Sequence, residues 1–251
     1  ATKAGRRADP FEAAQYTPEN LRAWVDRSRR NLGVDTLDLV QLHCPPTAVY
    51  SDQRVYDALD ALVADGAIAA YGMSVETVAE GLTALQHPGV ATIQVILNVF
   101  RRKPLEELLP AAARAGVGVL ARVPLASGLL TGKYDESTTF AADDHRSFNR
   151  HGEAFDVGET FAGVPYDVAL EAVDELRGLV GLLREEQGTA AAPSLARVPE
   201  LLAELDDAPP LLFVEGDPAL LERPQLAMLA IQGPHARTRT AELVSQARAT
   251  L

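Results

Sequence analysis

The chain has a single cysteine, Cys44, among 251 residues, so an internal disulfide is impossible and no multi-cysteine metal cluster can be built. Tryptophan is as scarce, with one residue, and aromatic residues make up 6%. Long apolar runs are missing too. The longest span only a few residues, far short of the roughly 20 that a membrane helix needs. The opening segment ATKAGRR has no apolar stretch behind it that would read as a secretion signal. Positive charge is in deficit: 23 Lys and Arg stand against 35 Asp and Glu, for a net charge of -12 and a pI near 4.9. Such a chain repels nucleic acid backbones and anionic lipid. The expectation is a soluble, cytoplasmic protein with no nucleic acid or membrane partner. With 47% hydrophobic residues it is large enough to bury a core as one domain over 1–251.

Between residues 17 and 121 the sequence alternates short β-branched or Leu-rich runs with segments of helical period. That is the pattern of successive βα units on a parallel sheet. Thr17-Pro18-Glu19-Asn20 supplies an N-cap with proline at the first helical position. Leu21, Val25 and Leu32 then recur at helical spacing until Gly33, and a strand is expected over 36–42. Further helices are expected at 53–65, 76–86 and 105–115, each followed by a buried strand: IAAYGMS, ATIQVIL and VGVLARV. The junctions Asp65-Gly66, Pro88-Gly89 and Ala115-Gly116 place glycine where a left-handed residue ends a helix. A loop from 123 to 165 interrupts the rhythm, and loops of that length usually cover or build a site. Helices are expected again at 168–186 and 236–249.

GVGVLA at 116–121 fits a dinucleotide fingerprint in letters, but a helix precedes it and a strand follows, the reverse of what that fingerprint requires. His43 closes the apolar strand LDLVQL, at the strand end where barrels keep their chemistry, although a hydrogen-bonded structural histidine is equally open. Lys3 is an odd occupant of a buried strand, and simple solvation near the terminus is the plain alternative. His145 and His151, beside Asp143 and Asp144, match no standard metal spacing, and no metal site is expected.

Read in order, ATKAG, RRNLGVDTLDLVQLH, ALDALVADGAIAAYGMS, TIQVILN and GVGVLARVPLASGLLTGKY resemble consecutive pieces of an aldo-keto reductase. The resemblance runs from residue 1 to about 180, with 181–251 divergent, and DDHRSFNRHGEAFD resembles the lid loop of a bacterial subgroup carrying RVPLASGLLTGK. It implies a (β/α)8 TIM barrel of the α/β class, entered here at about the third strand, so that two N-terminal units of ~30 residues would be missing. It implies reduction of an aldehyde or ketone by NADP(H), with a small carbonyl compound as partner and a homo-oligomer left open. The family's Asp, Tyr, Lys and His tetrad would be represented by Lys3 and His43, the Asp and Tyr being absent. By the same resemblance Ser74 and Gln94 contact the nicotinamide amide, and Val75 stands where many relatives have Asn. Arg122 replaces an aromatic that stacks on the ring, and Val123, Pro124, Leu125, Ala126, Ser127, Gly128 and Lys133 wrap the pyrophosphate. Gly233 belongs to the adenosine-phosphate segment, with His235, Arg237 and Arg239 as cations nearby. Two alternatives stay open: a non-catalytic scaffold or binding module, and a different barrel enzyme using Lys3 as a Schiff-base amine.

Overall fold

In the computed structural model of the chain, residues 1–187 are described, those from 178 to 187 by their backbone alone. They divide into two units, Ala1–Leu97 with Arg101–Arg122, and Asn98–Phe100 with the residues from Val123 onward.

The first unit repeats strand and helix: β1 (Thr2–Ala4), α1 (Pro18–Leu32), β2 (Val40–His43), α2 (Gln53–Ala64), β3 (Tyr71–Ser74), α3 (Val78–Ala84), β4 (Val90–Ile96), α4 (Leu108–Ala115) and β5 (Gly118–Arg122). The five strands form one sheet in chain order, every neighbouring pair parallel. This is the βα-barrel arrangement anticipated from the sequence, with elements shifted by a few residues.

Local chemistry sets several of the helix ends. The Thr17 hydroxyl accepts from the Asn20 amide at 3.3 Å, Pro18 opens α1, and Gly33 closes it at φ 66°. Thr77 and Glu80 cap α3 reciprocally, each side chain accepting from the other's backbone amide. Gly116 ends α4 at φ 68°, which explains the first glycine of GVGVLA without a nucleotide. Gly89 behaves otherwise. It lies well past the end of α3, and a Cβ there would sit 2.0 Å from the Tyr71 hydroxyl. Its role is close approach, not helix termination. Leu32 also departs from the expected apolar face, being 58% exposed at the last turn of α1.

Strand alternation divides the sheet into two faces. Ala4, Val40, Leu42, Tyr71, Met73, Ile93 and Val95 point to one face, all buried, and pack with Leu21, Val25, Leu59 and Leu62 of the helices in one core. Register puts Lys3, Gln41, His43, Gly72, Ser74, Thr92, Gln94, Leu120 and Arg122 on the other. Gln41 confirms the assignment by donating to Thr92 Oγ1 at 3.1 Å and accepting from Gln94 Nε2 at 3.0 Å. Gly72 makes this possible, since a Cβ there would lie 2.0 Å from Thr92 Oγ1 and 2.5 Å from its carbonyl oxygen. β3 is buried throughout, as expected of its run, although one face of the sheet carries polar side chains, and β4 and β5 are only partly buried.

In the second unit the expected loop 123–165 is organised by short helical turns and α5 (His145–Phe148), and α6 (Tyr166–Gln187) follows it. Ala126, Leu129, Phe161, Ala162, Ala169 and Val173 form its core, with Tyr134, Phe140 and Tyr166 packed against them. Arg146 lies 4.4 Å over the Phe140 ring and Arg150 4.9 Å over Phe161. Asn149, fully buried, accepts from the amides of Ala154 and Phe155 and donates to Thr160 Oγ1. Such a knot satisfies backbone groups that no helix or strand would. Among the described residues no helix is long and apolar enough to cross a membrane.

Candidate active site

His43 and Ser74 end β2 and β3, and Gln94, two residues before the end of β4, continues their register row. Lys3 on β1 and Arg122 on β5 flank that row on the same face. The expected residues of the first unit are thus brought together at the C-terminal end of the sheet, where βα architectures place their chemistry.

His43 is half-buried, and burial, followed by the positive charges of Lys3, Arg6 and Arg122, pushes its imidazole down from 6.5 to about 4. At neutral pH the ring is uncharged and keeps one N–H donor. Ser74 is fully buried, and its hydroxyl lies 3.4 Å from Cys44 Sγ. The Tyr50 hydroxyl donates to the Ser74 carbonyl oxygen at 2.9 Å, and Tyr56 braces Tyr50 in turn. Arg122 spans the strand ends, donating to Cys44 Sγ and to the Val75 carbonyl oxygen, both at 3.3 Å. Burial pushes the Cys44 thiol up against the pull of Arg122, so the sulfur is a neutral packing and hydrogen-bonding partner. Its backbone, at φ 44°, is left-handed, a conformation that non-glycine residues keep only where their surroundings enforce it.

Gln41, Cys44 and Arg6 were not among the site residues expected from the sequence. The period-two alternation in VQLH and TIQVI was the available signal for Gln41. Cys44 and Arg6 had none, because their roles come from strands remote in the chain.

In the second unit Val123, Ala126, Ser127 and Gly128 have φ of 53°, 47°, 57° and 96°. Within this turn the amides of Ala126 and Gly128 donate to the carbonyl oxygens of Val123 and Leu125, each at 3.0 Å. Ser127 Oγ donates to the Glu159 carbonyl oxygen and accepts from the Phe161 amide, which fixes this turn from the side. Val123 and Ala126 are buried, Pro124 and Leu125 half-buried, and Lys133 exposed. Asp144 caps α5 and takes Arg146 in a fork, which accounts for the acid beside His145. Among the described residues no group of three metal-ligating side chains is found. Gly233, His235, Arg237, Arg239 and the helix expected at 236–249 lie outside the described residues.

A parallel βα sheet with a polar row at its strand ends defines a barrel-type enzyme scaffold. The chain belongs to the aldo/keto reductase family, a family of oxidoreductases, which it matches over residues 1–191. It is 33% identical over 123 residues to the aldo-keto reductase YhdN of Bacillus subtilis, covering 49% of this chain and 37% of that protein. To aflatoxin B1 aldehyde reductase member 2 of Mus musculus it is 31% identical over 138 residues, covering 53% and 37%. Among solved structures, the glycerol dehydrogenase AKR11B4 from Gluconobacter oxydans aligns with a TM-score of 0.54 at 26% identity, over 92% of this chain and 65% of that one. The matched stretch spans less than half the length of these curated relatives.

In the first unit the donor set fits a nicotinamide carboxamide in its chemistry, since Gln94 Oε1 can accept from it and Arg122 can donate to it. Ser74 is the exception, its hydroxyl being enclosed against Cys44.

Proposed function

We propose that this chain carries the site of an NADP(H)-linked carbonyl reductase that converts an aldehyde or ketone to an alcohol. The observation that carries the reading is the row His43, Ser74 and Gln94 in register, flanked by Lys3 and Arg122, on one sheet face. The bound cofactor supplies a hydride to the carbonyl carbon. The uncharged His43 imidazole offers its N–H to the carbonyl oxygen and orients it. Lys3 favours the negative charge that builds on that oxygen as the carbon–oxygen double bond is reduced, and a proton from solvent water completes the alcohol. The family resemblance assigns Gln94 to the carboxamide, Arg122 to the place of the aromatic beside the ring, and Val123, Pro124, Leu125, Ala126, Ser127, Gly128 and Lys133 to the pyrophosphate. A cytoplasmic setting belongs to the same reading, and a single cysteine is compatible with it.

The test is NADPH consumption by the 251-residue chain with a panel of aldehydes, beside NADPH binding followed by fluorescence of Trp24. Turnover that falls at least ~100-fold in His43→Gln supports the proposal; no NADPH binding refutes it. One observation favours the rival reading of a non-catalytic scaffold: the closed Ser74–Cys44 contact removes one hydroxyl from the amide site. Binding of NADPH without turnover selects the scaffold, and measurable turnover eliminates it.

A further inference from the structure

One peptide group ties the middle of the strand-end row together. The Ser74 carbonyl oxygen accepts from the Cys44 amide at 3.1 Å, and the Val75 amide of the same peptide donates to the Gln94 carbonyl oxygen at 2.8 Å. Because a peptide is planar, whatever fixes one end fixes the other. Cys44 directly follows His43 and is the strained residue of the row, with φ at 44°. A non-glycine residue keeps that conformation only where its surroundings enforce it, and the Cys44 amide bond to Ser74 is part of that enforcement.

Tyr50 clamps the same oxygen from within the core. It rides on the short turn Thr47–Ser51 between β2 and α2, whose first hydroxyl bonds Glu80 of α3 at 2.9 Å. The Tyr50 side chain is fully buried, and its hydroxyl donates to the Ser74 carbonyl oxygen at 2.9 Å. Burial pushes that phenol far up, so it remains a donor at any working pH. Tyr50 is itself held. The Tyr56 hydroxyl donates to its carbonyl oxygen at 2.9 Å, and His87, stacked on the Tyr56 ring with centroids 3.4 Å apart and planes 9° from parallel, bonds the same oxygen. None of these three residues belongs to the strand-end row.

We propose that Tyr50 is a positioning residue of this site: its hydroxyl locks the Ser74–Val75 peptide, and through the Cys44 amide that peptide aims His43. Tyr56 and His87 serve it by fixing its backbone. The proposal rests on the carbonyl-reduction reading and adds to it a residue that never meets substrate. With both lone pairs of the Ser74 oxygen taken, the peptide cannot rotate without breaking two hydrogen bonds at once. With the hydroxyl removed, Cys44 alone restrains that oxygen, the left-handed turn relaxes, and the half-buried His43 ring moves toward solvent. Gln94 keeps its place, since the β4 ladder with β5 holds it independently.

The experiment follows the His43 imidazole by proton NMR titration of the whole 251-residue chain, its signal assigned by its loss in His43→Gln. Tyr50→Phe keeps the ring and removes only the hydroxyl. Its His43 midpoint should move up by about half a pH unit or more, toward 6.5, as the imidazole loses burial. Leu59→Ala loosens the core of the same unit without touching the clamp and should leave the midpoint in place. His87→Gln, at a half-buried position, should move it the same way by a smaller step. Circular dichroism checks that each variant folds. An unmoved midpoint in folded Tyr50→Phe, or an equal shift in Leu59→Ala, overturns the proposal. If Tyr50→Phe does not fold, an unmoved midpoint in His87→Gln overturns it. NADPH consumption with an aldehyde is read separately: kcat in Tyr50→Phe should fall about tenfold or more, with KM for NADPH unchanged. Turnover absent from the unsubstituted chain refutes the reductase reading, and the titration, which needs no cofactor, still decides the clamp.

Discussion

Replacing His43 by glutamine converts the electrostatics of the strand ends into a stability measurement. Burial first, then Lys3, Arg6 and Arg122, lower the imidazole from 6.5 to about 4. Between those values the unfolded chain binds a proton that the folded chain refuses. The histidine's contribution is therefore complete above pH 6.5 and is lost as the pH falls toward 4. At about 1.4 kcal/mol per tenfold in acidity, a depression of this size is worth roughly 3 kcal/mol. The ring is half-buried, so solvent screening reduces this to ~1–2 kcal/mol. Urea unfolding at about pH 7 and again at about pH 4.5 should show the unsubstituted chain losing ~1–2 kcal/mol more than His43→Gln. Proton NMR of the imidazole supplies the direct check, and Arg6→Gln should raise its midpoint by a fraction of a pH unit. An imidazole titrating at 6.5 or above would refute the account, because neither the burial nor the three cations could then be as described.

Leu59, fully buried in the core of the first unit, should cost ~2–5 kcal/mol on truncation to alanine, measured by denaturant midpoint. Gly72→Ala should cost ~1–3 kcal/mol, since the new Cβ meets Thr92 side chain and backbone together; an unchanged melting temperature would contradict the close approach of β3 and β4. Asn149→Ala removes the acceptor of the Ala154 and Phe155 amides and leaves the buried Thr160 hydroxyl without its donor, and should cost ~1–3 kcal/mol while raising the rate of proteolytic cleavage within 149–160.

The sequence alone determined the elements whose causes are local. Thr17-Pro18 at the start of α1, Gly33 at its end and the apolar spacing of Leu21 and Val25 each act within one turn of chain, so the helix can be read from them. The order of βα units follows from the same short-range periodicity. Lys3, His43, Ser74 and Gln94 could be named from motif positions, and strand register then set His43, Ser74 and Gln94 in one row with Lys3 on the same face. Register is a property of pairs of strands, and only the tertiary structure could decide that Gln41 reaches Thr92 and Gln94 across Gly72, or that Gly89 makes room for the Tyr71 hydroxyl. The contact of Arg122 with Cys44 joins residues 78 positions apart, and the depression of His43 sums charges from β1, the segment after it and β5. Burial and Coulomb forces act through space, so no window of sequence contains them; the chain order supplied the groups, and folding supplied their distances.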